Sequence, residues 1–198
     1  MSMEHKAFLF DTDKFNSKLA ELLSSCHSKD DIQLIRSFIN ENIDDIKSPY
    51  DGEDLEIDWE DELENKDIQE YADFAITYCY NPDDEDGLSC CWQGILECLK
   101  KVKLKFPAEY YILGNSVKLG DELLDPGQQG LGIIAAQDIY EMWTEIAACK
   151  EKVINEYDRL AENDIYESTK DEIADSYDDL CRLFYDAHQQ GMGLLMTF

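Results

Sequence analysis

One stretch constrains the fold of this chain more than any other: the run from Leu88 to Leu99, Leu-Ser-Cys-Cys-Trp-Gln-Gly-Ile-Leu-Glu-Cys-Leu. Leu88, Cys91, Trp92, Ile95, Leu99 and Val102 recur at spacings of three and four, so they share one face of a predicted helix. Leu96 and Cys98 widen that face, and a helix so apolar has to lie inside a fold with other elements on several sides. Asp83-Asp84-Glu85-Asp86 precedes it, and Lys100, Lys101, Lys103 and Lys105 follow. Acid before a helix and base after it suit the helix dipole, which is the reading given to these charges.

The rest of the chain supplies partners for such a helix. Lys6–Phe10 reads as a short strand. Asp11 or Thr12 can cap a helix over 13–26 with Phe15, Leu19, Leu22 and Cys26 inward. A second helix begins at Ser28, with Asp31 at the capping-box position and Ile32, Ile35, Phe38 or Ile39, Ile43 and Ile46 as its apolar set. Ser48-Pro49-Tyr50-Asp51-Gly52 stops it. Leu55, Ile57 and Trp59 alternate as in a strand edge or extended arm, and a helix over 67–80 ends at Asn81-Pro82. After Phe106-Pro107, Tyr110–Leu113 reads as a buried strand. A glycine-rich looping region runs from Gly114 to Gly132, Ile133-Ile134 feeds a helix over 136–147, and a further helix covers 150–162. Asp164–Tyr166 turns the chain into a long helix over 170–189, with Gly191 at its C′ position and a terminal strand from Gly193. The expected fold is a single, helix-rich α+β domain over residues 1–198. Its small sheet is built from the N-terminal strand, the 110–113 strand and the C-terminal strand.

Charge is the compositional outlier: 45 acids against 17 bases, a net of −28. It is unevenly placed. Residues 49–87 hold 16 acids and one base, whereas 88–120 hold two acids and five bases. This excludes nucleic acid held through its phosphates, which needs a basic footprint. No apolar run is long enough for a membrane span, and the opening residues lack the apolar core of an export signal, so a cytoplasmic protein is expected. The seven cysteines form no Cys-x-x-Cys pair and are expected as reduced thiols packed as small hydrophobes.

Several segments from residue 87 onward resemble, in order, the YfbM-like family, a bacterial domain of unknown function. They are the helix at 90–99, Tyr111–Gly120, Gly130–Ile139, Glu156-Tyr157-Asp158 with Ile165-Tyr166, and Tyr177–Leu195. The resemblance implies a small α+β fold with a short sheet among helices, and implies no activity. Gln93 and Leu96 stand where the family often carries histidines, so chemistry needing those imidazoles is not implied. The acidic stretch 49–87 is an extension beyond the usual member.

No motif fixes a reaction, so whether the protein is an enzyme stays open. Asp84, Asp86 and Gly87 match positions three, five and six of a calcium loop, but Pro82 and Gln93 fall at one and twelve and cannot ligate as required. A weak, non-specific cation site among these acids is the broader alternative. His5, His27 and His188 lie in no zinc spacing, and His188 suits the dipole of the last helix turn. Paired carboxylates such as Asp58, Glu60 and Asp61 arise by chance among so many acids. No metal and no cofactor is expected. The acidic segment carries the leading expectation: a non-enzymatic binding protein, inhibitor- or antidote-like, that engages a basic protein through Asp51, Glu53, Asp54, Glu56, Asp58, Trp59, Glu60 and Asp61. Aromatics among the charges serve as anchors. The alternative is a small-ligand-binding or hydrolytic enzyme with a pocket near the Gly114–Gly132 loop.

Overall fold

A computed structural model describes residues 3–29, 31–119, 122–161 and 168–198. The first strand, β1 (His5–Phe10), leads straight into a helical segment. Asp11 caps it by accepting the Lys14 N–H at 2.8 Å. The segment comprises α1 (Thr12–Lys14), a π-helical turn (Phe15–Leu19) and α2 (Ala20–Lys29). The slower winding of the π turn stretches the inward spacing to four residues. Phe15, Leu19 and Leu23 are therefore buried, and Leu22, expected inward, is only half-buried. Ser28 falls inside α2, so the next helix, α3 (Gln33–Glu41), starts later than expected. Asp31 accepts the Gln33 N–H there at 2.9 Å. Ile35 and Ile39 are its buried residues.

Residues 51–65 form neither a strand edge nor an extended arm. Lys47 and Asp54 make one isolated bridge, and Trp59–Glu62 is a 3-10 turn. Next comes α4 (Ile68–Ile76), whose N-cap Asp67 accepts the N–H groups of Gln69 and Glu70. A 3-10 turn over Thr77–Cys79 ends it.

The apolar run at 88–99 splits in two. Leu88 belongs to β2 (Asp86–Ser89), and the helix α5 (Trp92–Leu99) starts only after a turn at Ser89, whose φ is +47°. The acids at 83–86 therefore precede a strand, and the first turn of α5 carries no acid. The dipole reading of those acids does not hold. Ile95, Leu96, Cys98 and Leu99 are buried, whereas Trp92 is half-buried: its indole donates to the Met3 carbonyl at 3.0 Å and its ring lies 4.9 Å from that of Phe198. It packs against the margin of the core and ties the two ends of the described chain together.

The strand expected at 110–113 is a helix, α6 (Ala108–Leu113). A four-residue apolar run has no period by which to tell the two apart. Pro107 opens the turn with φ −56°, Glu109 lies in it, and Gly114 closes it at φ +66°. Short strands follow: β3 (Asn115–Ser116), β4 (Lys118–Leu119), β5 (Glu122–Leu123) and β6 (Leu131–Ile134). Gly132 pairs into β6 so closely to α6 that a Cβ there would lie 1.9 Å from the Leu113 carbonyl oxygen. The two helices expected at 136–147 and 150–162 are one, α7 (Ala136–Ala161). The expected turn at 164–166 lies outside the described residues. A Thr169–Glu172 capping box starts α8 (Lys170–Gln190), which ends at Gly191 in the left-handed conformation, and β7 (Gly193–Thr197) follows.

The main sheet runs β2-β1-β7-β6-β3, antiparallel throughout, and β4 and β5 pair separately. The fold is thus α+β. Alternate strand residues feed two cores: Ala7, Ile134, Leu194 and Met196 pack against α5–α8, while Phe8, Phe10 and Leu195 pack against α2–α4. Both faces being covered explains why β1 and β7 read as unbroken apolar runs. Among the described residues, no helix is long and apolar enough to cross a membrane.

Candidate functional site

A cleft of about 800 Å³ opens on the α2–α4 side, at one end of the sheet. Its floor is built from Phe8, Leu131 and Thr197, and its walls come from the 49–52 turn, residues 62–73, residues 80–85 and the 125–129 loop. Two clips hold the walls. Gln69 donates to the Leu123 carbonyl and accepts the Asp125 N–H, both at 2.9 Å, joining α4 to the loop. Lys47 pairs with Asp83 at 2.5 Å beside the tight turn at Gly52, joining the 49–52 turn to residues 80–85.

Eight carboxylates line the cleft against one base, Lys6, which is paired with Glu85 at 2.7 Å. Four more are committed to structure. Asp51 accepts the Glu53 N–H, Asp67 caps α4, Asp125 accepts the Gly130 N–H at 2.6 Å, and Glu70 accepts the N–H groups of Glu64, Asn65 and Lys66. Desolvation works against the Glu70 charge, but those N–H groups outweigh it and hold the carboxyl below its ordinary range.

Asp73, one helical turn on from Glu70, is the opposite case. Burial, and then the charge of Glu70, push its carboxyl up to about 7. It makes no hydrogen bond or ion pair with any described residue, and neither does the hydroxyl of Tyr80 across the cleft. Burial, and then nearby carboxylates led by Asp73, raise the Tyr50 phenol to about 12. Burial and Asp73 also push Tyr80 upward. Two carboxyls of one helix face are thus driven apart in proton affinity, the arrangement that acid–base sites use.

The residues singled out in the sequence fall into different settings. Asp51 lines the cleft. Glu53, Asp54, Glu56, Asp58 and Asp61 are exposed on the outside, around an Ile57 that is 97% exposed. Glu60 is half-buried and paired with Arg36. Trp59 is no surface anchor: it is 2% exposed, packed edge-on to Tyr71 and donating to Asn40 at 3.1 Å. A tryptophan among acids reads as an interface residue only until an apolar neighbour covers it. Asp73 lay within the acidic segment but was not singled out. Its signal was available in the sequence, as an acid between Ala72 and Phe74 on the inner face of an amphipathic helix.

Of the cysteines, Cys26, Cys79, Cys91, Cys98 and Cys149 are buried and Cys90 is exposed; all seven are unbridged. No group of three or more metal-ligating side chains converges among the described residues. No family model matches the chain, and neither do any curated protein or solved structure.

Proposed function

We propose that this is a non-enzymatic binding protein of the cytoplasm that engages a basic protein through the ridge Glu53–Asp61. The observation that carries this reading is the company Ile57 keeps. A fully exposed isoleucine stands among Glu53, Asp54, Glu56, Asp58 and Asp61, all exposed and none paired with a base. Carboxylates around an apolar knob steer a cationic surface in and then desolvate at contact. The unbridged cysteines suit a reducing compartment. The YfbM-like assignment belongs to the same proposal and rests on the ordered motifs between 90 and 195.

The test is retention of a basic partner at about 50 mM salt, where screening is weak. The quadruple variant Glu53→Gln, Asp54→Asn, Glu56→Gln, Asp58→Asn is expected to release it, and Ile57→Ser to shorten its residence. Unchanged retention by both variants removes the reading.

A second reading is favoured by Asp73: small-ligand binding or hydrolysis in the cleft beside residues 125–131 of the Gly114–Gly132 loop. A desolvated carboxyl held near neutrality in a concave site is the feature that reading requires.

A further inference from the structure

We propose that the cleft is a binding site for a linear aliphatic di- or triamine, its ammonium groups held by Asp73, Glu62 and Glu64 and its methylenes lying on Phe8, Tyr50 and Tyr80. This rests on the small-ligand reading of the cleft and is independent of docking at the ridge.

The chemistry follows from what each wall leaves unanswered. Of the eight carboxylates, Lys6 answers only that of Glu85, and Asp51, Asp67, Glu70 and Asp125 are taken up by backbone N–H groups. Glu62, Glu64 and Asp73 face the cleft with no positive partner among the described residues. An anion is excluded by this field, and a neutral ligand would leave the three charges as they are. A single metal ion needs ligands converging on one point, and no such group exists among the described residues. Carboxylates that line one wall of the cleft without converging on a point call for a ligand with separated positive ends.

The partly buried groups point the same way. Asp73 and the Tyr80 hydroxyl are half-buried, line the cleft and have no hydrogen-bond or ion-pair partner among the described residues. A carboxyl placed like this is costly to ionise unless a cation arrives. The aromatic surfaces match an alkyl chain and can add cation–π attraction at its ends. A volume of about 800 Å³ lies within the range of small-molecule sites and exceeds what one amine group would use.

Spermidine titrated calorimetrically into the full chain at about 150 mM salt tests the proposal, since screening there suppresses diffuse association. Saturable binding is expected, weakened about tenfold or more by Asp73→Asn. The rim variant Glu62→Gln, Glu64→Gln, at exposed side chains that no described base pairs with and so harmless to folding, is expected to weaken it as well. The pair Glu151→Gln, Asp175→Asn, on the opposite helical layer, is expected to leave it unchanged. Equal weakening by that distal pair, or displacement by equimolar magnesium, means a counter-ion atmosphere and overturns the proposal. Neutral organic probes that shift cleft resonances where spermidine does not would overturn the amine class while leaving a pocket. Silence of the cleft toward every probe would remove the small-ligand reading too.

Discussion

His5 Nε2 donates to the carbonyl of Ile112 at 2.7 Å, and its Nδ1 accepts the Leu88 N–H at 3.3 Å. One imidazole thereby joins β1, β2 and α6, three elements that sequence places far apart. It is 2% exposed, and burial lowers its proton affinity below the ordinary value of 6.5, outweighing the Ile112 carbonyl, which acts in the other direction. The ring is neutral in the fold. Below pH 6.5 the unfolded chain takes up a proton there that the native chain refuses, so this contribution is present above pH 6.5 and is lost as pH falls. His5→Ala is expected to cost about 2–4 kcal/mol at pH 7.5, since it empties a packed site and strands a buried donor and acceptor. Urea unfolding at pH 7.5 and 5.5 checks both points: the penalty should shrink at the lower pH.

Asp73 has the opposite sign. Its native carboxyl titrates near 7, against the ordinary 3.8, so between those values the native state holds the extra proton. Stability from this group is complete below about pH 4 and is lost as pH rises toward 7. The charge that acts on it is that of Glu70 on its own helix; the other charged groups of the cleft are the carboxylates of Asp51, Glu62, Glu64, Asp67, Glu85 and Asp125 and the ammonium of Lys6, and the phenols of Tyr50 and Tyr80 line it too. The one positive charge, Lys6, is paired with Glu85. Asp73→Asn is therefore expected to raise stability at pH 8 by about 2–3 kcal/mol and to flatten the pH dependence between 5 and 8. A variant less stable than the parent at pH 8 would mean that the charged carboxyl is held by an interaction within the fold.

Trp59 supports the second core from beneath the acidic ridge, with its ring 5.4 Å from Phe74 and 5.7 Å from Tyr71. Trp59→Ala is expected to cost about 3–5 kcal/mol, and Trp59→Phe distinctly less. Were Trp59 an interface anchor, both changes would spare the folded state, and thermal unfolding distinguishes the outcomes directly.

Gly132 admits no side chain, because its Cβ would collide with the Leu113 carbonyl oxygen and lie 3.0 Å from Gly114. Gly132→Ala should force β6 away from the end of α6 and cost about 2–3 kcal/mol. Gly191→Ala fills open space but must hold φ +66° at the end of α8, so its cost, about 1 kcal/mol, is conformational. The pair of denaturation midpoints separates crowding from backbone strain.

Local signals were sufficient wherever the ends of an element were chemically marked. The strand at 5–10, the helix over 68–76 opened by Asp67, the long helix closed by Gly191 and the strand after Gly193 all stand close to where the periodicity puts them. Short apolar runs failed. Leu88 reads equally well as the first turn of a helix and as a strand residue, and it went to the strand because β1 offered it a partner. Tyr110–Leu113 went the other way, because the place beside β6 at the edge of the sheet is taken by β3, which follows it directly.

The candidate site divides along the same line. That residues 49–87 are a concentrated negative surface was legible from the charges alone. Which acids share a concave wall, and which stand outside, required the chain path through Gly52, Gln69 and Asp125.

The amino-acid order by itself determined the class of fold, the identity of its long elements and the sign of its surface, because these depend on periodicity, end-capping and charge, which are properties of neighbouring residues. Only the tertiary structure decided that Trp59 turns inward, that the 110–113 run coils, and that the Asp73 carboxyl is pushed up to about 7. Burial and desolvation belong to whatever packs around a residue, and those neighbours arrive from distant parts of the chain.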